Sequence, residues 1–134
     1  MRLSEVSNIT NAQFFFPDST TTPSQSDLQL ELQVGGSADL MSDVLCFNLS
    51  RGLLVTGLIN PQSVRTAEMA DVAAILIVRG KIPPPETIKI AWEVGIPIIG
   101  TQMTMFEACG RLHGAGLPAA NRTNGDPNPD CTAR

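Results

Sequence analysis

Long apolar runs, basic clusters and closely spaced cysteines are what this sequence lacks. No stretch of its 134 residues approaches the ~20 apolar residues that a membrane-spanning helix requires, so a membrane is not an expected partner. Nine Lys and Arg stand against thirteen Asp and Glu, for a formal net charge of −4, and the nine are scattered. Nucleic-acid backbones are held by clustered cations, so nucleic acid is not an expected partner either. Cys46, Cys109 and Cys131 are far apart and odd in number, with no C-x-x-C spacing, which argues against a disulfide framework or thiolate metal site and fits a reducing cytoplasm. The single histidine, His113, has no sequence neighbour arranged for a nucleophile or metal, so packing or a simple hydrogen bond is its expected role. The N-terminal MRLSEVSNITNAQFFF has neither an apolar core behind a basic start nor a small-residue cleavage site. Without an export signal, the N-x-S/T triplets at Asn8, Asn48 and Asn121 are read as chance matches.

What is present suits one globular domain: 43% hydrophobic residues, 16% charged, and a length able to bury one core. The expected domain spans 1–117, and the proline-rich 118–134, with little to bury, is expected to be a disordered tail. Residues 3–6 suggest a short helix and Phe14 to Phe16 a strand, followed by a loop over 17–27. Leu28, Leu30, Leu32 and Val34 alternate with polar residues, as in a half-buried strand. Gly35-Gly36 then reads as a tight turn using glycine's tolerance of positive φ. Ser37 is placed to N-cap a helix over 38–47, with Asp39 against its dipole and Asp43 on the same face.

From residue 53 the pattern becomes regular. LLVTGLI reads as a strand and PQSVRTAEMA as a helix opened by Pro61. VAAILIV, almost without polar residues, reads as a strand buried on both faces. In ETIKIAWEVG the inward stripe is expected to be Ile88, Ala91 and Trp92, with Ile90 and Val94 as a second apolar pair and Gly95 ending the helix. IPIIG is another buried strand, and a last helix places Phe106, Cys109, Gly110 and His113 on one stripe. Successive strand-helix units predict a three-layer α/β/α fold with a mostly parallel sheet.

Such sheets bind ligands beyond the carboxyl ends of their strands, which directs attention to Gly57–Asn60, Arg79–Ile82 and Gly100–Thr104. Arg79, Gly80, Thr101 and Thr104 are therefore candidate ligand-binding residues, an anion-suited set of donors beside the start of the final helix. The groove beside Gly35, Gly36 and Asp39 is the second candidate. The bland alternatives are a surface ion pair for Arg79, caps for Thr101 and Thr104 with Glu107 completing a capping box, and chain reversal for the glycines. Gly35-Gly36 carries neither a dinucleotide nor a P-loop pattern. No catalytic residue, metal site or cofactor is assigned.

LQVGGSADLMSDVL, with VAAILIVRGKIPPPETIKIAWEVGIPIIGTQMTMFEACGRLHGAGL after it, resembles a DRTGG domain over residues 28–117. Leu32, Gln33 and Val34 stand where the family name has Asp, Arg and Thr, and Gly35 and Gly36 keep its two glycines. MRLSEV is similar to the start of small free-standing members. The resemblance implies a fold related to the N-terminal domain of HPr kinase/phosphorylase and to the first domain of certain muramyl ligases. It also implies a regulatory or dimer-forming role without general catalytic residues. The expected function is a non-catalytic regulatory or interaction module, a homodimer acting through a small anionic metabolite or nucleotide or a partner protein. The alternative is a small transferase or hydrolase using carboxylates near the sheet edge.

Overall fold

The computed structural model describes residues 1–121. Helix α1 (Leu3–Thr10) leads into β1 (Gln13–Phe15), followed by the short α2 (Gln25–Leu28), β2 (Gly35–Ser37) and the short α3 (Met41–Val44). The regular half follows as β3 (Leu53–Thr56), α4 (Pro61–Met69), β4 (Ala74–Ile77), α5 (Pro85–Val94), β5 (Ile98–Gly100) and α6 (Met105–Gly114). The five strands form one sheet in the order β1-β5-β4-β3-β2, parallel throughout except for antiparallel β1. The expected α/β class with a mostly parallel sheet is what the chain adopts.

Alternation within the strands builds two cores. Leu53, Val55, Ala74, Leu76 and Ile99 face α1 and α6, where Leu3, Val6, Ala108 and Leu112 meet them. Leu54, Ile75, Ile77 and Ile98 face the other way, onto Val44, Val64, Ala67 and Ala91 of α3, α4 and α5. Burial on both faces is why these strands read as unbroken apolar runs. Asn60 caps α4 by accepting from Ser63 N at 3.0 Å, Pro61 occupies its first turn, and Gly95 ends α5 at φ 77°. Among the described residues no helix is long and apolar enough to cross a membrane.

The helix and strand expected at the N-terminus form as α1 and β1, but between β1 and β3 the chain departs from its sequence reading. Leu28 closes α2, whose capping box joins Ser24 and Asp27. Residues 30–32 run beside the N-terminus instead of entering the sheet: Leu3 N donates to Leu30 O at 2.9 Å and Leu32 N to Met1 O at 2.7 Å. The alternation there reflects one buried side, with Leu32 inside and Glu31 outside, and no sheet strand. Gly35-Gly36 is not a turn. It forms β2 with Ser37, which therefore caps nothing, and neither glycine has a positive φ. The helix expected over 38–47 contracts to α3, so Asp39 and Asp43 do not share a helical face.

Two helical stripes are also rotated from expectation. On α5 it is Thr87 and Ala91 that are buried, Ile90 and Val94 pack against the core, and Trp92 is 57% exposed. On α6 the inward residues are Ala108 and Leu112, with Met105 and Cys109 packed beside them, and Phe106 is 91% exposed. Cys46 is disulfide-bonded, which removes the cysteine argument for a reducing compartment, and Cys109 is the free cysteine among the described residues. Pro118 to Asn121, assigned in sequence to the tail, are hydrogen-bonded to the domain: Gly35 N donates to Pro118 O and Ala120 N to Gly35 O, both at 2.8 Å. The remainder of that expected tail lies outside the described residues.

Candidate functional site

Parallel pairing of β2 through β5 brings the loops after these strands to one edge, as the expected ligand position requires. At this edge Asp39, just past β2, reaches over the end of β3. Its Oδ1 accepts from Gly57 N at 2.7 Å and from Thr56 Oγ1 at 3.1 Å. Lys81 holds the same glycine from the other side, donating through Nζ to Gly57 O at 2.9 Å. Arg79 Nη2 lies 4.0 Å from Asp39 Oδ2, with both side chains 50% exposed. The Arg79 guanidinium also covers Gly57 so closely that a Cβ there would collide with it.

The backbone explains why Arg79 points this way. Arg79 and Gly80 are both left-handed, at φ 63° and 67°, a conformation that few non-glycine residues adopt. Their amides fasten the β4–α5 loop to the loop after β5: Arg79 N donates to Met103 O and Gly80 N to Thr101 O, each at 2.8 Å. These two N–H groups are therefore already used. Two cationic side chains against one carboxylate leave this edge locally positive on an acidic chain.

The two threonines take other roles. Thr101 is 3% exposed, donates to Thr10 O at 2.6 Å and accepts from Met103 N at 3.2 Å, so it ties β5 to the end of α1. Thr104 caps α6 by accepting from Glu107 N at 3.3 Å. No capping box forms, because the Glu107 carboxylate accepts from Arg111 Nη2 at 3.0 Å. The first-turn N–H groups of Met105 and Phe106 have no acceptor within the helix. Of the first candidate set, Arg79 and Gly80 share the edge with Thr104, while Thr101 is withdrawn into the interior.

Of the second set, Asp39 belongs to this edge, and Gly35 and Gly36 line a separate cavity of about 380 Å³ beside the sheet margin. Lys81 and Thr56 carry no sequence signal for this position. A lysine two residues after a left-handed arginine carries no pattern of its own, and the Asp39 contacts span 17 and 18 residues. His113 Nδ1 is 3.2 Å from Leu117 O, the simple hydrogen bond expected of it. Among the described residues no group of three or more His, Cys, Asp or Glu is gathered to hold a metal ion.

No family model matches the chain, and no curated protein matches it. Its structure is similar to the crystal structure of the CBS and DRTGG domains of the regulatory region of Clostridium perfringens pyrophosphatase, complexed with its activator, diadenosine tetraphosphate. The TM-score is 0.59 at 16% identity, covering 92% of this chain and 51% of that one. The two share a fold. This chain spans about half the length of the regulatory region it resembles.

Proposed function

We propose that the chain is a DRTGG-like, non-catalytic regulatory module that takes a small anionic ligand, of the metabolite or nucleotide class, at the carboxyl edge of its sheet. The observation that carries this reading is the convergence of Arg79 and Lys81 on Gly57 at the end of β3, with Asp39 as the carboxylate that faces them. Arg79 supplies planar donors for a phosphate or carboxylate and Lys81 a point charge. Asp39 fixes Gly57 and keeps the unliganded guanidinium in place. The similar regulatory region binds diadenosine tetraphosphate, a phosphate-bearing ligand, which supports the same chemical class here.

A thermal-shift screen against nucleotides, acyl phosphates and coenzyme A derivatives tests the reading, because a ligand bound only by the folded state raises Tm. Arg79→Ala is expected to abolish the hit while changing the unliganded Tm little, since an ion pair this exposed contributes about 0–1 kcal/mol. Unchanged affinity in Arg79→Ala would place the ligand elsewhere.

A further inference from the structure

We propose that the cavity beside β2 is a binding site for a planar nitrogen heterocycle of the nucleobase type, read through the backbone of Ser37. The inference stands on the open margin of the sheet and does not depend on Arg79. In β2, Leu53 N donates to Val34 O at 2.8 Å and Ala38 N to Val55 O at 3.2 Å, so residues 34, 36 and 38 turn toward β3. Gly35 turns outward and is satisfied by Pro118 and Ala120.

Strand alternation sends the N–H and C=O of Ser37 the same way as those of Gly35. Within the described residues, the C-terminal segment turns from Gly35 to Asn48, whose N–H donates to Asn121 O at 2.8 Å. Among the described residues nothing pairs with this donor and acceptor. Ser37, which carries both, lines the cavity of about 380 Å³.

The cavity walls suit a flat ring. Hydrogen bonds at a strand margin lie in the plane of the sheet, so a ring that bonds both groups of Ser37 lies in that plane too. Phe47, which packs with the α3/α4/α5 layer, and Cys109, Leu112 and His113 of the opposite layer line the cavity. An in-plane ring thus has apolar cover available to both faces, with Ala120 also in the lining. A donor beside an acceptor matches a ring nitrogen next to an exocyclic amine, as in adenine or cytosine. The volume falls within the range of about 300–1,000 Å³ usual for small-molecule sites. One open residue is too short a ladder for an added peptide strand, since the C-terminal segment already occupies the margin at Gly35.

Adenosine, which carries no phosphate, is the probe, followed by amide chemical shifts. Saturable shifts are expected at Gly36, Ser37 and residues 109–113. Ser37→Pro removes only an outward N–H at a margin position that tolerates proline, and is expected to weaken adenosine binding about tenfold. Cys109→Phe fills the cavity from α6 and is expected to abolish binding, and N6,N6-dimethyladenosine, lacking the amine protons, is expected to bind more weakly than adenosine. Unmoved cross-peaks at millimolar adenosine would overturn the proposal, as would wild-type affinity in Cys109→Phe or saturation by an extended peptide but not by adenosine. A nucleotide that moves only Arg79 and Gly80, while adenosine moves nothing, upholds the anion site and sinks this one. Adenosine binding that is unaltered in Arg79→Ala upholds this site whatever becomes of the other.

Discussion

A methyl group added at Gly35 would stand 2.7 Å from Leu117 Cδ2 and 3.3 Å from Leu117 Cγ, and Leu117 is only 4% exposed. The glycine is required by close approach and not by backbone conformation. Gly35→Ala is expected to lower stability by about 1–3 kcal/mol, the usual cost of overpacking. Gly36→Ala, with its nearest contact at 3.0 Å from Leu49 Cδ2, should cost less. Urea denaturation of the pair checks the order, and equal stabilities would show that Leu117 moves aside freely. Asp39 separates two roles in a second test. Asp39→Asn keeps an acceptor for Gly57 N, whereas Asp39→Ala removes it from a buried amide, so only the alanine variant should lose about 1–2 kcal/mol. Both variants lift the negative charge facing Arg79, so both should tighten anion binding in a thermal-shift titration. Weaker binding in Asp39→Asn would mean that the carboxylate positions Arg79 more than it competes with the ligand.

At the scale of elements, β2 is the weak member, three residues long and two of them glycine. Its outer side is closed by Pro118 to Ala120, and Asn121 is fastened to Asn48. Ending the chain at Leu117 removes three hydrogen bonds of 2.8 Å, worth about 1 kcal/mol each, so Tm should fall by several degrees. Ending it at Asn121 keeps them, so under reducing conditions this variant should melt several degrees above the one ending at Leu117. Equal Tm values for the two truncations would deny the segment its role. The prolines and low apolar content of this segment hide its role in the sequence, because backbone bonds to a distant glycine leave no side-chain pattern. Leu28 to Val34 likewise carry a strand pattern without entering the sheet, since burial on one side gives period two whether or not a ladder forms. The glycines of β2 carry no β signal, and only their neighbours Leu117 and Leu49 explain them. β3 to β5 were legible because strands covered on both faces must be continuously apolar. The positions of Arg79 and Gly80 followed from that topology, while the burial of Thr101 and the partners of Asp39 depended on contacts between distant loops.

For the whole molecule, self-association is the outcome to test, and the surface that carries it differs from the one the sequence suggested. Ile90 and Val94 are spent on the core, which leaves Trp92 exposed with the half-buried Ile88 one turn before it on α5. Trp92 meets Phe16 edge to face at 5.9 Å, and Phe16 stacks on Phe14 at the same distance, so the aromatic surface continues from α5 to the marginal strand β1. A cavity of about 300 Å³ lies within this surface, lined by Phe15, Phe16, Ile88 and Trp92. A half-exposed tryptophan beside an apolar recess is the kind of residue that anchors interfaces, and β1 is too short and too close to Pro17 to recruit a partner by strand pairing alone. A homodimer seated on α5 and β1 is therefore expected, with a dimer mass in light scattering across the micromolar range and a monomer mass for Trp92→Ala. If Trp92 merely shields Phe16, the substitution lowers Tm and leaves the mass unchanged. A wild-type chain that is already a monomer at those concentrations removes the dimer altogether.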